Sequence, residues 1–197
     1  MSNSLKLVLV GVALLGVAYG ASIGPTGKGK ECTVQDRYFA LSCAFQMRDF
    51  GSKVKELDMS DKEDLKEFRK SCNALENCNT NLCDGFTDDD VKQAFTVSRT
   101  YCGIINFVTG DFKKCTDKLD AKESKCYEDW DPFLDDEDLK DQKKAQEACK
   151  NFFGKDQCMK KEVTETCGEK EWEKLRDNII KMDEEIMKQC NLKNMFS

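Results

Sequence analysis

Twelve cysteines and their spacing constrain the fold of this 197-residue chain more than any other feature of its sequence. They form two series of six, which are Cys32, Cys43, Cys72, Cys78, Cys83 and Cys102, followed by Cys115, Cys126, Cys149, Cys158, Cys167 and Cys190. Each series is a pair eleven residues apart, a long gap, a close triplet, a second long gap and a last cysteine. This shared order predicts an internal repeat, in which one six-cysteine unit is used twice and the two sets of helices superpose.

The N-terminus has the pattern of a secretory signal. Lys6 precedes the apolar run Leu7–Val17, and the small residues Ala18 and Gly20 precede a cleavage point before Ala21. The run is shorter than the roughly 20 apolar residues that cross a membrane. We therefore expect a signal peptide over residues 1–20 and a flexible tail over residues 21–31, with an uncleaved anchor as the alternative.

All twelve cysteines follow the expected cleavage point. An even number of cysteines in a secreted chain predicts disulfides, because the extracellular space is oxidising. The chain has no histidine and no Cys-x-x-Cys pair, so zinc coordination is disfavoured. We predict six disulfides, no metal, no cofactor and a secreted, extracellular location.

The charge balance excludes several classes of partner. The chain has 31 basic and 37 acidic residues, and it has no basic run. An acidic protein without a basic patch does not bind the phosphate backbone of nucleic acids or the surface of an anionic membrane. We expect no nucleic acid partner and no membrane span after signal cleavage.

The composition and apolar periodicity predict an all-α, disulfide-stapled fold with two similar three-helix halves, over residues 32–108 and 109–197. In the first half the predicted helices cover 33–49, a segment capped by Ser60 and Glu63, and a segment from Thr87 that Gly103 can end early. In the second half they cover 112–126, 138–153 and 169–189, with a further short helix over 156–166. Thr109-Gly110-Asp111 is predicted to be the turn between the halves. In the last helix an apolar stripe recurs at 3-4-3-4 spacing and is predicted to pack on its own domain rather than form a coiled coil: Trp172, Leu175, Ile179, Met182 and Ile186.

The eleven-residue steps fit helices, because eleven residues are about three turns and return to nearly the same face. Two such cysteines cannot bond each other and must reach different neighbours. With three antiparallel helices per half, Cys43–Cys102 is the preferred pair and Cys126–Cys190 its counterpart. Six cysteines allow fifteen pairings, so the others stay open.

The absence of histidine also disfavours most catalytic chemistry. It removes Ser-His-Asp and Cys-His catalysis and the HExxH metalloproteases. No catalytic residues are predicted, and we expect no enzyme activity. The acidic stretch Asp129–Asp138 resembles a calcium loop but has Leu134 where glycine is required and Lys140 where glutamate is required, so a solvated loop is favoured.

The cysteine pattern, together with the segment CKNFFGKDQCMKKEVTETC over 149–167 and the amphipathic run that follows it, resembles a nematode-expanded family of secreted helical domains. That family is catalogued as a domain of unknown function, the nineteenth so numbered. The resemblance covers essentially all of the chain after residue 20. It implies secretion, an all-α fold and six disulfides, and it brings no activity.

From these observations we expect a non-enzymatic extracellular module that binds a protein or a surface. The alternative is a carrier of a small hydrophobic ligand or lipid in a helical cavity. A buried pocket would favour the carrier if it were lined by Phe39, Phe68, Phe95 or Phe152. A solid core with an exposed apolar patch would favour the binding module.

Overall fold

The computed structural model describes residues 32–130, 140–188 and 190–196, and every regular element among them is helical. This confirms the predicted all-α class. The predicted signal peptide, the predicted flexible tail and most of the acidic stretch Asp129–Asp138 lie outside the described residues.

The described residues form two compact units, 32–102 and 103–196, which divide between Cys102 and Gly103. The first unit contains helices α1 (Val34–Glu56) and α2 (Lys62–Asn81), a 3-10 turn (Asp84–Phe86) and most of α3 (Asp89–Asn106). The predicted first helix is therefore too short, since α1 continues well past residue 49. Gly103 does not end α3, which continues to Asn106.

The second unit is made of shorter helices. They are α4 (Lys113–Ala121), α5 (Lys125–Asp129), α6 (Gln142–Lys150), α7 (Cys158–Cys167), α8 (Glu169–Met182) and α9 (Leu192–Phe196). Wide π-helical turns follow α3 at Phe107–Asp111 and α8 at Asp183–Met187. The prediction of a turn at Thr109-Gly110-Asp111 was wrong, because these residues continue the helical path in the first of these π turns.

The predicted single helix over 112–126 was also wrong, because the chain breaks it into α4 and α5. Glu123 has a φ of 52°, a conformation that no α-helix accommodates. The Ser124 hydroxyl then accepts a hydrogen bond from the Tyr127 amide at 3.3 Å and begins α5.

Side-chain caps fix where the first helices begin. At α1, Thr33 and Asp36 form a capping box in which each side chain accepts from the other residue's amide, at 3.2 and 2.6 Å. At α2, the Asp61 carboxylate accepts from the amides of Glu63 and Asp64 at 2.7 and 3.2 Å. The prediction that Ser60 caps this helix was wrong, since its hydroxyl instead donates to Asp58 at 2.6 Å.

All twelve cysteines form disulfides. The pairs are Cys32–Cys83, Cys43–Cys78 and Cys72–Cys102 in the first series, and Cys115–Cys167, Cys126–Cys158 and Cys149–Cys190 in the second. In each series the first cysteine bonds the fifth, the second bonds the fourth and the third bonds the sixth. The predicted pairs Cys43–Cys102 and Cys126–Cys190 were wrong.

The length of α1 explains the error in the first series. Cys43 lies in the middle of α1 rather than near its end, because α1 continues to Glu56. Two contacts show that α2 runs antiparallel to α1: Lys53 contacts Ser71 at 3.0 Å, whereas Cys43, earlier in α1, bonds Cys78, later in α2. This leaves Cys102 level with Cys72 on α2, with which it bonds.

In the second series the break at Glu123 places Cys126 on α5, outside the helix that holds Cys115. Cys126 bonds Cys158, the first residue of α7. Cys190 follows the π turn after α8 and bonds Cys149 on α6.

The core of the first unit is an aromatic cluster of three side chains that are almost completely buried. The Phe50 ring centroid lies 5.5 Å from that of Phe68 and 6.3 Å from that of Tyr101. Each comes from a different helix, so the cluster joins α1, α2 and α3. Offset and edge-on aromatic contacts of this kind add to the free energy gained by burying the rings.

The core of the second unit is centred on Phe153, whose ring lies 5.0 Å from that of Trp172. The indole N–H of Trp130 donates to the Phe152 carbonyl at 2.8 Å and satisfies that buried acceptor. Four members of the predicted stripe are buried on α8, namely Trp172, Leu175, Ile179 and Met182, and the fifth, Ile186, is half-buried in the π turn that follows. This confirms that it packs on its own domain and is not a coiled-coil surface.

Candidate functional site

The cysteines are structural bonds and not reactive groups. No free cysteine is present, so no thiol nucleophile is available. Within the described ranges, no group of three or more Cys, Asp or Glu side chains is arranged to hold a metal ion. The acidic stretch Asp129–Asp138, for which a solvated loop was predicted, lies mostly outside these ranges, because residues 131–139 are not described.

Three of the four phenylalanines that were expected to line a ligand pocket belong to the packed interior, and the fourth, Phe39, is half-buried on α1. Phe68, Phe95 and Phe152 are buried, and Phe68 and Phe152 contact neighbouring aromatic rings. The first unit has an open groove of about 560 Å³ and the second has one of about 410 Å³, and neither is lined by these phenylalanines.

The surface of the first unit carries an apolar stripe along α1, which we call the outer stripe. Its members are large apolar residues with a high exposed fraction, which is 64% for Val34, 70% for Tyr38, 45% for Leu41 and 69% for Phe45. Single exposed apolar residues are ordinary, but four in a continuous row form an apolar patch, and patches of this kind are typical of interaction sites.

Helical geometry explains why these four side chains form one row. At about 100° per residue, positions 34, 38, 41 and 45 fall within about 60° of one another around the axis, and they span about 16 Å along it. The buried residues Ala40, Cys43 and Phe50 lie on the opposite side of the same helix. The helix α1 therefore has two apolar faces, of which one packs against α2 and the other meets solvent.

The outer stripe lies in a segment with unusually little charge. Residues 38–47 include no Lys, Arg, Asp or Glu, although 35% of the chain is charged. The other such run of ten or more residues beyond residue 31 is 100–110, which supplies buried residues such as Tyr101 and Ile105. A helix that is free of charge on its exposed face as well as on its buried face is typical of the centre of a protein interface.

Balanced charges border this segment at both ends. Asp36 and Arg37 precede it, and Arg48 and Asp49 follow it. The Asp49 carboxylate forms an ion pair with the Lys53 ammonium group at 2.9 Å, on the side toward α2. The open groove of the first unit is lined by Tyr38, Leu41, Ser42, Phe45, Gln46 and Asp49. The site therefore presents an apolar groove without a strong electrostatic potential.

Groups with shifted pKa values have structural causes in this protein. Burial raises the pKa of Tyr101 to about 12. A hydrogen bond from Lys122 lowers the pKa of Glu162, and one from Lys70 lowers the pKa of Glu67. These are a core aromatic and surface ion pairs, and their pKa shifts do not indicate acid–base chemistry.

Sequence reasoning did not find the outer stripe. The apolar periodicity of the helix predicted over 33–49 indicates a single buried face, and its members are Phe39, Ala40, Cys43, Met47 and Phe50. The available signal was the second set of apolar residues at 4-3-4 spacing, combined with the charge-free run. These two features indicate a helix that is apolar on two opposite faces. A small domain cannot bury both of them.

No helix within the described ranges has both the length and the apolarity needed to cross a membrane. The family model described as "Domain of unknown function (DUF19)" matches residues 32–191. No solved structure shows significant similarity to the chain.

Relatives from Caenorhabditis elegans match nearly end to end. "Excretory canal abnormal exc-13" is 45% identical, over 97% of this chain and 98% of the relative. "UPF0376 protein F10G2.1" is 41% identical, over 99% of this chain and all of the relative. "UPF0376 protein C36C5.12" is 38% identical, over 99% of this chain and 92% of the relative.

Proposed function

This chain belongs to the DUF19 family, and we propose that it is a secreted, non-enzymatic module that binds another protein through the outer stripe of α1. The family description assigns no activity to its members. The function is therefore argued from the surface that the fold exposes. The single observation that carries the proposal is the row Val34, Tyr38, Leu41 and Phe45 on the solvent side of a helix that is already packed on its other side.

The extracellular setting is supported by the bonds that hold the fold. The fold contains six disulfides, which is typical of proteins that fold and remain in an oxidising compartment. The signal-like N-terminal pattern over residues 1–20 agrees with export by secretion.

A protein partner fits the outer stripe better than a lipid surface does. Helices that lie on membranes carry Lys and Arg on the face opposite their apolar residues. In α1 the opposite face is buried against α2, and the two arginines that border the stripe are balanced by two aspartates. Tyr38 and Phe45 are the anchors we expect to contribute most, because aromatic side chains dominate binding free energies at protein interfaces.

The carrier of an apolar ligand finds less support. Three of its four expected lining residues, Phe68, Phe95 and Phe152, are packed in the two cores. The groove beside Tyr38 and Phe45 is open along the helix and suits an elongated protein surface better than an enclosed small molecule.

A photo-crosslinking amino acid at position 45 tests the proposal in the extracellular fluid of the protein's own organism. We expect it to capture a defined protein partner, identified by mass spectrometry. The matched control is the same group at position 195, because Met195 is also an exposed apolar side chain, at 45%, but lies in the second unit.

Capture of the same species from positions 45 and 195 would show that the outer stripe has no special role. Capture of lipid alone from position 45 would contradict a protein partner and favour a surface or carrier function. Turnover of a substrate in a hydrolase screen would contradict the non-enzymatic part of the proposal.

A further inference from the structure

We propose that the protein bound by the outer stripe is a second copy of this chain, and that two α1 helices pair antiparallel across a two-fold axis. This inference rests on the proposed function, because it names the partner of the same surface. It is carried by the spacing of the exposed side chains, by their volumes and by the residues that border them.

The spacing of the outer stripe is that of a coiled-coil seam. Val34, Tyr38, Leu41 and Phe45 follow steps of 4, 3 and 4 residues, which alternate in the way that heptad positions d and a alternate. In an antiparallel pair, each a residue meets a d residue of the other helix. A pair centred between residues 39 and 40 therefore places Val34 against Phe45 of the second copy, and Tyr38 against Leu41 of the second copy.

This arrangement makes the stripe self-complementary in volume. Each contact combines an aromatic ring with an aliphatic side chain, so the packed layers have similar thickness. A parallel pair would instead place Val34 on Val34 and Phe45 on Phe45, which gives one thin layer and one thick layer. The alternation of large and small side chains therefore favours the antiparallel orientation.

The residues beside the seam cause no repulsion in this orientation. Arg37 lies beside Ala44 of the second copy, and Gln35 lies beside Ser42 of the second copy. No like charges meet along the seam, although the whole chain has a net charge of −6. The charge-free run over residues 38–47 is where two acidic molecules can approach most closely.

The expected dimer is weak and reversible. A stable interface buries about 800 Å² on each partner, which is more than four side chains along about 16 Å of helix supply. The polar segment 21–31 is a poor rival occupant, since Ile23 is its only large apolar side chain.

Analytical ultracentrifugation of the secreted protein, with its N-terminus defined by mass spectrometry, measures the dimer directly. We expect concentration-dependent dimerisation, and we expect Phe45→Glu to weaken it by about 30-fold or more, as removal of an interface hot spot does. The control Met195→Glu makes the same kind of change at an exposed apolar residue of the second unit and leaves the dimer unchanged. Circular dichroism and the mass of the oxidised chain show that each variant is folded and fully bridged.

A charge pair tests the orientation. In the antiparallel dimer, Val34→Lys combined with Phe45→Glu brings the introduced lysine of one copy against the introduced glutamate of the other, so the double variant dimerises more tightly than Phe45→Glu alone. The matched control combines Val34→Glu with Phe45→Glu and remains monomeric. A parallel dimer would show no rescue, because each introduced charge would meet its own kind, and that result would overturn the antiparallel pairing.

Wild-type protein that stays monomeric up to about 1 mM would overturn the second-copy inference. Equal weakening by Phe45→Glu and Met195→Glu would also overturn it. If the protein is monomeric and a crosslinker at position 45 captures a different extracellular protein, the second-copy inference fails and the proposed function stands. If that crosslinker captures only residues 21–31 of its own chain, both fail.

Discussion

The backbone at Gly154 lies against the sulfur of Cys158, so closely that a Cβ atom at position 154 would be 2.5 Å from that Sγ. The same Cβ would lie 3.3 Å from Sγ of Cys126, the other half of the disulfide. Gly154 also has a φ of 79°, which side chains other than glycine rarely adopt. The chain thus crosses the Cys126–Cys158 disulfide at a point that requires glycine.

Gly154→Ala is expected to lower the free energy of unfolding by about 2–4 kcal/mol, because it combines a left-handed backbone with a steric clash against the disulfide. Denaturant unfolding of the oxidised protein measures this loss. Gly168→Ala is the matched control: Gly168 has a φ of 100°, but a Cβ atom added there would have no neighbour within 4 Å. At Gly168 the unfavourable backbone conformation alone is expected to lower the free energy of unfolding by about 1–2 kcal/mol. An equal loss at both positions would contradict the role of the clash.

Replacing the residue that caps α2 distinguishes the observed cap from the one expected from the sequence. Asp61→Ala removes the acceptor of two helix amides and is expected to cost about 1 kcal/mol. Ser60→Ala removes only a hydroxyl that contacts Asp58 and is expected to cost less than about 0.5 kcal/mol. Thermal or denaturant unfolding compares the two variants, and a larger loss for Ser60→Ala would restore the sequence-based assignment.

Two tyrosines, the buried Tyr101 and the half-buried Tyr127, predict a loss of stability at high pH. Burial raises the pKa of Tyr101 to about 12, and burial with nearby Asp120 and Asp117 raises the pKa of Tyr127 to about 12. In the unfolded chain both ionise near about 10. Between these values the unfolded state has released protons that the folded state retains, so the free energy of unfolding falls as the pH rises from about 10 to about 12.

Rapid pH jumps with tyrosinate absorbance as the readout measure this titration before the disulfides react. We expect Tyr101→Phe to remove one of the steps near pH 12. Titration of both side chains near pH 10 in the folded protein would show that neither phenol is shielded from water by the fold.

Peptide mapping of the oxidised protein tests the pairing order. We expect Cys43 joined to Cys78 and Cys149 joined to Cys190, in place of the pairs expected from the sequence. Removal of one bridge by Cys72→Ala with Cys102→Ala is expected to cost about 2–5 kcal/mol, because the unfolded chain gains freedom. A peptide that joins Cys43 to Cys102 would contradict the fold of the first unit.

The all-α class, the six bridges and the buried face of α8 could be predicted from the sequence, because they depend on composition, cysteine count and a clear 3-4 periodicity. The individual pairings could not, because they depend on helix ends. Nothing in the local pattern showed that α1 continues to Glu56, or that the chain breaks at Glu123. The repeat itself stays a prediction, although the shared pairing order of the two series agrees with it.

The outer stripe was missed for a related reason. Periodicity identifies an apolar face only when one face is apolar, and α1 has two that oppose each other. Phe50 and Phe45 lie on these two faces, and the sequence alone does not show which of them reaches α2. In the structure Phe50 packs against Phe68 and Tyr101, so the face that carries Phe50 is the buried one. Phe45 is exposed to solvent.

The difference between these two phenylalanines is the most direct test of the account, in which the inner face of α1 holds the fold and the outer stripe is free to bind. The measurement is the free energy of unfolding of Phe50→Ala and Phe45→Ala at a protein concentration too low for association. We expect a loss of about 3–5 kcal/mol for Phe50→Ala and a change within about 0.5 kcal/mol for Phe45→Ala. A loss of several kcal/mol for Phe45→Ala would mean that this side chain is buried in the folded monomer, and would contradict the account.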